Sequence, residues 1–432
     1  MLCTYKNFDI SFPKADLKNP PVCYFCVIFV NQNTESFIDM PWSLKMTSFA
    51  ALILLILLVY FGIRYFESVK ALGLKPLWAY RFLLFIPAVL FLAYPLAGQM
   101  QHLLTGSFSR TGFPDFMIYL FWYGLVCMGV MLNLLLLHDI LLTFMVRATK
   151  TDHQKRKIWF ARVFLIIAGV TVGYTAVKMT LDTHRIVTDE ITYTLPEGTG
   201  LHEPLTIVHI TDLHADEYTG ARKMERYIRK VNDANPDLVI FTGDLISSGR
   251  DHIEAGADAM AGIEATYGTW FVMGDHDYWV STEEIAEALE SRGINVLQNE
   301  NAVIRHNNMV LRITGVTELY SYQVDDLVLD SLLNDSAGED LHLLASHQST
   351  DRLIERAVGA GVHQLLSGHT HGGQIRVRLF TYPVTAARAE TEYVKGTWHM
   401  GNMLLNVNSG LGFTLTPVRY NAPAQVSVIR VR

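Results

Sequence analysis

The sequence predicts an α-helical membrane bundle followed by a layered α/β domain. Half of the 432 residues are hydrophobic and 18% are charged, more apolar than a water-soluble globule usually is. The long apolar stretches all lie in the first part of the chain, the last of them ending at Met179. From Leu205 onward the pattern changes to short β-branched runs that alternate with stretches of helical period.

Four segments reach the roughly 20 apolar residues that a hydrocarbon core requires: Thr47–Phe66, Leu77–Gly98, Phe116–Leu137 and Ile158–Met179. Apolar character continues past His138 and Asp139 to Val146, either as a long tilted helix or as a span followed by an interfacial stretch. A His-Asp pair at membrane depth is a functional-site candidate, and at headgroup level it is ordinary. Arg64, Lys70, Lys75 and Arg81 surround the first connection, and Arg147, Lys150, Lys155, Arg156 and Lys157 the third. Between Gln99 and Asp115 the only Lys or Arg is Arg110. Positive charge retained in the cytoplasm therefore puts the first and third connections inside, and both the N-terminus and everything after about Thr180 outside.

Cys3, Cys23, Cys26 and Cys127 all precede the second half, so an exported domain would fold without disulfides. Cys23 and Cys26 form a C-x-x-C with no further ligands in view, which argues against a metal or redox role. Residues 1–45 resemble neither later region and read as a tail or an over-extended start. The long apolar run lies too far from Met1 for a cleavable signal. The expected division is thus 1–45, a helical domain over 46–180, and a catalytic domain over 181–432.

In that last region strands are expected at Leu205–Ile210, Leu238–Thr242, Thr269–Met273, Val310–Thr314, Leu341–Ala345 and Val362–Leu366. Helices are expected at Ala221–Ala234, Asp251–Ala265, Ser281–Arg292 and Asp351–Val358. Apolar strands between helices imply sheets covered by helical layers, with ligands gathering beyond the strands' carboxyl ends. Metal-capable side chains fall there: Asp212 and His214 in T-D-L-H, Asp244 in T-G-D-L, Asp275, His276 and Asp277 in G-D-H-D, His347 in A-S-H-Q, and His369 and His371 in S-G-H-T-H-G-G-Q. Any one cluster is explicable as a helix cap or a satisfied core histidine. Five at equivalent positions are not. Mixed carboxylate and imidazole donors suit Mn, Fe, Zn or Co, and so many donors suit a pair of ions sharing a carboxylate. Glycines before Asp244, Asp275 and His369, with Gly372 and Gly373, allow sharp turns beside such ions.

The ordered series D-L-H, G-D, G-D-H-D, H and G-H-T-H resembles the calcineurin-like metallophosphoesterases over Leu205–Arg432. The G-H-T-H-G-G-Q version, N-S-G-L-G-F and P-V-R-Y-N-A-P-A-Q-V look like that family's membrane-anchored branch, the transmembrane proteins with a metallophosphoesterase domain. The resemblance implies a four-layer sandwich, two sheets flanked by helices, and a dinuclear centre. It gives one ion Asp212, His214 and His371, the other Asp275, His347 and His369, and makes Asp244 the bridge. It assigns His276 to the phosphate and the leaving group, with Asp277 orienting its imidazole. One departure stands out: Asp275 occupies a position where the family usually has asparagine, adding negative charge that should tighten metal binding.

The expected activity is hydrolysis of phosphomonoesters or phosphodiesters by metal-activated water. Anchoring favours a lipid-linked substrate, or else it keeps an exported enzyme from diffusing away. The alternative from another class is a metal-binding sensor or scaffold on a signalling or transport bundle, which would not need His276 and Asp277. A net charge of −7, with basic clusters accounted for by topology, argues against nucleic acid. His209, His306, His342 and His363 match no motif and read as structural. Arg376–Trp398, with Arg378, Tyr382, Arg388, Tyr393 and Lys395, reads either as a substrate-facing lid or as solvated loop.

Overall fold

The computed structural model describes residues 40–148, 153–195, 204–336 and 338–432, with the side chains of Thr111, residues 146–148 and His153 excepted. Residues 1–39, including Cys3, Cys23 and Cys26, lie outside the described part. Met40–Arg432 forms one compact unit.

Four helices come first: α1 (Trp42–Ala71), α2 (Leu77–Thr105), α3 (Asp115–Ala148) and α4 (His153–His184). Each is long and apolar enough to cross a membrane. Each also exceeds the expected span, because polar ends add helical turns without adding apolar length. The ambiguous stretch after Asp139 is one continuous helix. Asp139 Oδ2 accepts from Tyr60 Oη and Arg64 Nη2, both at 2.6 Å, so the His138–Asp139 pair takes part in an ion pair that ties α3 to α1.

The chain then runs β1 (Ile186–Tyr193), β2 (Leu205–Ile210), α5 (Ala221–Asn232), β3 (Leu238–Phe241), α6 (Ile253–Ala261), β4 (Thr269–Phe271), α7 (Asp275–Val280), α8 (Thr282–Glu290), β5 (Asn295–Val296), β6 (Glu300–His306) and β7 (Met309–Gly315). It continues through α9 (Asp326–Asn334), β8 (Leu341–Ala345), α10 (Asp351–Gly359), β9 (Gln364–Ser367), β10 (Val377–Leu379), β11 (Tyr382–Val384), β12 (Gly396–Met400), β13 (Met403–Val407) and β14 (Ala424–Val431).

Two six-stranded mixed sheets result, in the orders β1-β14-β2-β3-β4-β5 and β12-β13-β9-β8-β7-β6. Their inner faces meet through Ile207, Leu238, Ile240 and Val272 on one side and Leu311, Ile313, Leu343 and Leu366 on the other. Met224, Tyr227 and Val231 of α5, Met260 of α6 and Leu289 of α8 cover the first sheet. Leu329 and Leu333 of α9 with Leu353 and Ala357 of α10 cover the second. These are the expected four layers. The parallel β2, β3, β8 and β9 direct their carboxyl ends to one rim, where the polar motifs begin.

The helical and sandwich regions share a core. Val418 and Tyr420 pack among Val126, Cys127 and Met179 of the helices, and Asn421 N donates to Asp182 Oδ2 at 2.7 Å. The boundary expected near residue 180 therefore falls inside the last turns of α4, which runs directly into the sandwich.

Candidate metal centre

Each polar motif sits in the turn that follows a strand, and the turns are strained. Asp212, His214, Asp244, His369 and His371 all have positive φ, between 47° and 69°. For side chains with a Cβ this costs on the order of 1–3 kcal/mol each and persists only where surrounding structure enforces it. Neighbouring glycines allow the close packing that these turns require. A Cβ on Gly274 would lie 2.1 Å from Asp244 Oδ1, and one on Gly368 would lie 2.5 Å from Asp212 Oδ2.

The turns bring all seven candidate ligands into one cluster, buried except at the partly exposed His369. His371 Nε2 lies 3.2 Å from Asp212 Oδ1 and 3.0 Å from His214 Nε2. Asp275 Oδ1 lies 3.0 Å from His347 Nε2 and 3.1 Å from His369 Nδ1. Between the two groups, Asp244 Oδ2 is 3.3 Å from both His214 Nε2 and His347 Nε2. Among the described residues four sets of ligand atoms, from Asp212/His214/His371, Asp275/His347/His369, His214/Asp244/His276 and Asp212/Asp244/His347, are each close enough to share an ion.

Asp212 Oδ1 and His347 Nε2 are buried without a hydrogen-bonded partner, despite lying near oppositely charged groups. Such orphans are costly unless an ion satisfies them. Burial opposes every charge in the cluster, and at Asp212, Asp275 and His347 proximity prevails. Neighbouring imidazoles hold the Asp212 and Asp275 carboxyls below the usual carboxylate range, and carboxylates hold His347 above its ordinary value. Burial pushes His371 down to about 4, leaving it neutral as a ligand should be. These His and Asp clusters have the donor chemistry of a two-metal site.

Outer contacts aim the imidazoles. His347 Nδ1 donates to Thr242 O at 2.6 Å, which turns Nε2 toward the cluster. His276 Nδ1 donates to Ser247 O at 2.5 Å, leaving Nε2 free. That contact corrects the expectation for Asp277. The carboxylate of Asp277 instead accepts from the backbone N–H of Asp244, Leu245 and Gly274, each at 2.9 Å, and so joins the second and third motif turns. The helical geometry of α7 carries the adjacent His276 and Asp277 side chains in different directions.

Several contributors were missed in the sequence. Gln348 Nε2 lies 3.2 Å from His369 Nδ1, and Glu390 Oε2 lies 3.1 Å from His369 Nε2. Arg419 is fully buried beside His371 and donates to carbonyls of Ser409, Gly410, Gly412 and Ala422. Its place in P-V-R-Y-N-A-P and the adjoining N-S-G-L-G-F were the available signals. The histidines read as structural are hydrogen-bonded away from the cluster: His209 to Asn406 and Thr242, His342 to Thr314 and Arg312, His306 to Tyr267, and His363 to the His342 N–H.

Residues 205–373 match the family model described as calcineurin-like phosphoesterase. An uncharacterized metallophosphoesterase of Campylobacter jejuni is 26% identical over 300 residues, 68% of this chain and 75% of its own. One from Bacillus subtilis is 26% identical over 277 residues, 62% of this chain and 92% of its own. A zebrafish transmembrane protein with metallophosphoesterase domain is 25% identical over 275 residues, and the alignment spans 61% of each chain. The matched span contains every motif turn that builds the cluster, and this region of the chain, residues 205–373, is of the calcineurin-like phosphoesterase family.

Proposed function

We propose that the chain is a membrane-anchored phosphoesterase that hydrolyses phosphomonoesters or phosphodiesters with two divalent ions, of the Mn, Fe, Zn or Co type. Asp212, His214 and His371 hold one ion, Asp275, His347 and His369 the other, and Asp244 is shared. The observation that carries this reading is Asp244 Oδ2 at 3.3 Å from an imidazole of each group. Bound ions would supply charge stabilisation for the phosphoryl oxygens and acidify the attacking water.

The chain's residues do the rest. Asp277 fastens the turns that carry Asp244 and Asp275, fixing the spacing of the two groups. His276 serves the departing oxygen. Its Nδ1–H is committed to Ser247 O, so a proton delivered to the leaving group leaves from Nε2. Burial lowers the pKa of this imidazole, which makes its cationic form a stronger acid. The catalytic region faces the extracytoplasmic side, as the charge bias of the helix connections favours, and a lipid-linked phosphoester is the substrate class best suited to an anchored site.

The test is hydrolysis of para-nitrophenyl phosphate and bis-para-nitrophenyl phosphate by the full chain in detergent, with each metal supplied in turn. Metal-dependent turnover that disappears in Asp244→Ala and falls in His276→Ala supports the reading. Folded, metal-replete protein without turnover on either ester favours the sensor or scaffold alternative.

A further inference from the structure

The segment after the last motif begins with an ordered hairpin rather than a free loop. Strands β10 and β11 form a hairpin, Val377–Val384, that lies along α3. Val377 packs against Gly129, and the Asn133 carboxamide takes both polar groups of the hairpin end: Nδ2 donates to Arg378 O and Oδ1 accepts from Phe380 N, each at 2.6 Å. Asn133 lies in an otherwise apolar run of α3. Backbone groups at a water-exposed turn have no need of such a partner, whereas in hydrocarbon each one must be satisfied internally.

The position along the helix gives the depth. From Leu134 to Met145 α3 rises about 18 Å, well short of the roughly 30 Å hydrocarbon thickness. The remainder must come from the section before Asn133, against which the hairpin lies. On the Asn133 face of α3 the next turns present Leu137, Ile140, Leu141 and Phe144, all exposed. The hairpin continues that apolar surface: Phe380 is 56% exposed and Tyr382 58%, with Leu379 and Val384 beside them. Phe380 sits at the tip with a φ of 54°, a strained conformation for a large side chain. Basic side chains accompany this surface, Arg378 within β10 and Arg376 and Arg388 beyond the two strands. Arg376, Arg378 and Arg388 are close enough that the other two lower the Arg376 pKa beyond the effect of burial, and Arg388 stacks on Tyr382 at 5.1 Å. An apolar tip over a basic, aromatic base matches the order of a bilayer leaflet, acyl chains and then phosphates.

We infer that the Val377–Val384 hairpin is seated in the phospholipid bilayer, its tip among the acyl chains and its arginines against lipid phosphates. Its base is tied to the candidate metal centre, since Thr385 Oγ1 donates to Gly373 O at 2.7 Å, two residues beyond His371. Seating the hairpin therefore holds the centre beside the lipid surface. The inference rests on the membrane reading of the four helices and is independent of catalysis.

The test uses the full chain with Cys3, Cys23, Cys26 and Cys127 replaced by Ser, reconstituted in vesicles of phosphatidylcholine and phosphatidylglycerol. An environment-sensitive fluorophore is attached at Phe380→Cys, and in separate samples at Ile56→Cys on α1 and Glu287→Cys on α8. Brominated acyl chains should quench the labels at 380 and 56, and aqueous iodide the label at 287. Quenching of position 380 by iodide, with position 56 still quenched by brominated lipid, would overturn the hairpin's placement alone. Loss of lipid quenching at position 56 would overturn the membrane reading and the inference with it. Tyr382→Cys repeats the measurement should Phe380→Cys fail to fold.

Discussion

Arg110, in the segment joining α2 to α3, places Nη2 3.0 Å from Oδ2 of the buried Asp216. The guanidinium also stacks on Tyr218 at 4.6 Å. Asp216 Oδ2 accepts from Ser247 Oγ at 2.9 Å, and Ser247 O holds His276 Nδ1. The helical region thus reaches the imidazole proposed to serve the leaving group through Arg110, Asp216 and Ser247, the last link being the Ser247 carbonyl. Loss of a comparable outer partner typically lowers activity about 10- to 100-fold. We predict a fall of that order in kcat for Arg110→Ala, with KM little changed and partial recovery in Arg110→Lys. Steady-state kinetics and the pH profile of the full chain check this, and kinetics equal to the parent's would show that the relay has no role.

Gly368 lies between β9 and His369, where an added Cβ would meet Thr211 Oγ1 at 2.1 Å and Asp212 Oδ2 at 2.5 Å. Both neighbours are buried in the first motif turn, so Gly368→Ala should push Asp212 out of place. We predict weaker metal binding and a loss of turnover of at least the order given for outer contacts, about tenfold. Metal titration beside circular dichroism separates this from global unfolding.

Asp275 brings a second full charge where an amide would suffice. With Oδ1 near two imidazoles, Asp275→Asn should weaken metal affinity at the group formed with His347 and His369. The amide also removes negative charge beside an anionic substrate, so turnover at saturating metal should change as well. Unchanged affinity and turnover would contradict the role given to this carboxylate.

The strands whose ends carry ligands were legible because β2, β3, β4, β8 and β9 are apolar runs stopped by polar turns. Edge strands were harder. β1 starts two residues after α4 and carries Asp189 and Glu190, and β12 alternates around His399, so neither resembles a buried run. β14, I-R-V at its end, was noticed only as part of a motif. The ligands announced themselves by residue type and position. Asp216 and Gln348 did not, because the partners that tie them to the site are distant in sequence: Arg110 and Asp216 stand 106 residues apart, and Gln348 and His369 21. The direction of Asp277 depended on the local geometry of α7, which spacing alone does not give.

His342 gives a pH-dependent stability term away from the metal centre. Arg312 Nη2 donates to its Nδ1 at 2.8 Å, so that nitrogen is an acceptor and the ring is neutral. Burial, reinforced by the Arg312 charge, pushes the imidazole down to about 3 from 6.5. A folded pKa below the unfolded one means that the unfolded chain binds more protons. The contribution is therefore complete above about pH 6.5 and is lost progressively as pH falls toward 3. Thermal unfolding of His342→Gln should decline less between pH 6.5 and 4 than that of the parent, and equal declines would contradict this.

Metal stoichiometry tests the central claim most directly. Full-length protein purified in detergent, loaded with Mn or Zn and desalted, should retain two metal atoms per chain by elemental analysis, and Asp244→Ala should retain fewer. At most one tightly bound atom in the folded parent, with Asp244→Ala unchanged, would contradict a shared dinuclear centre.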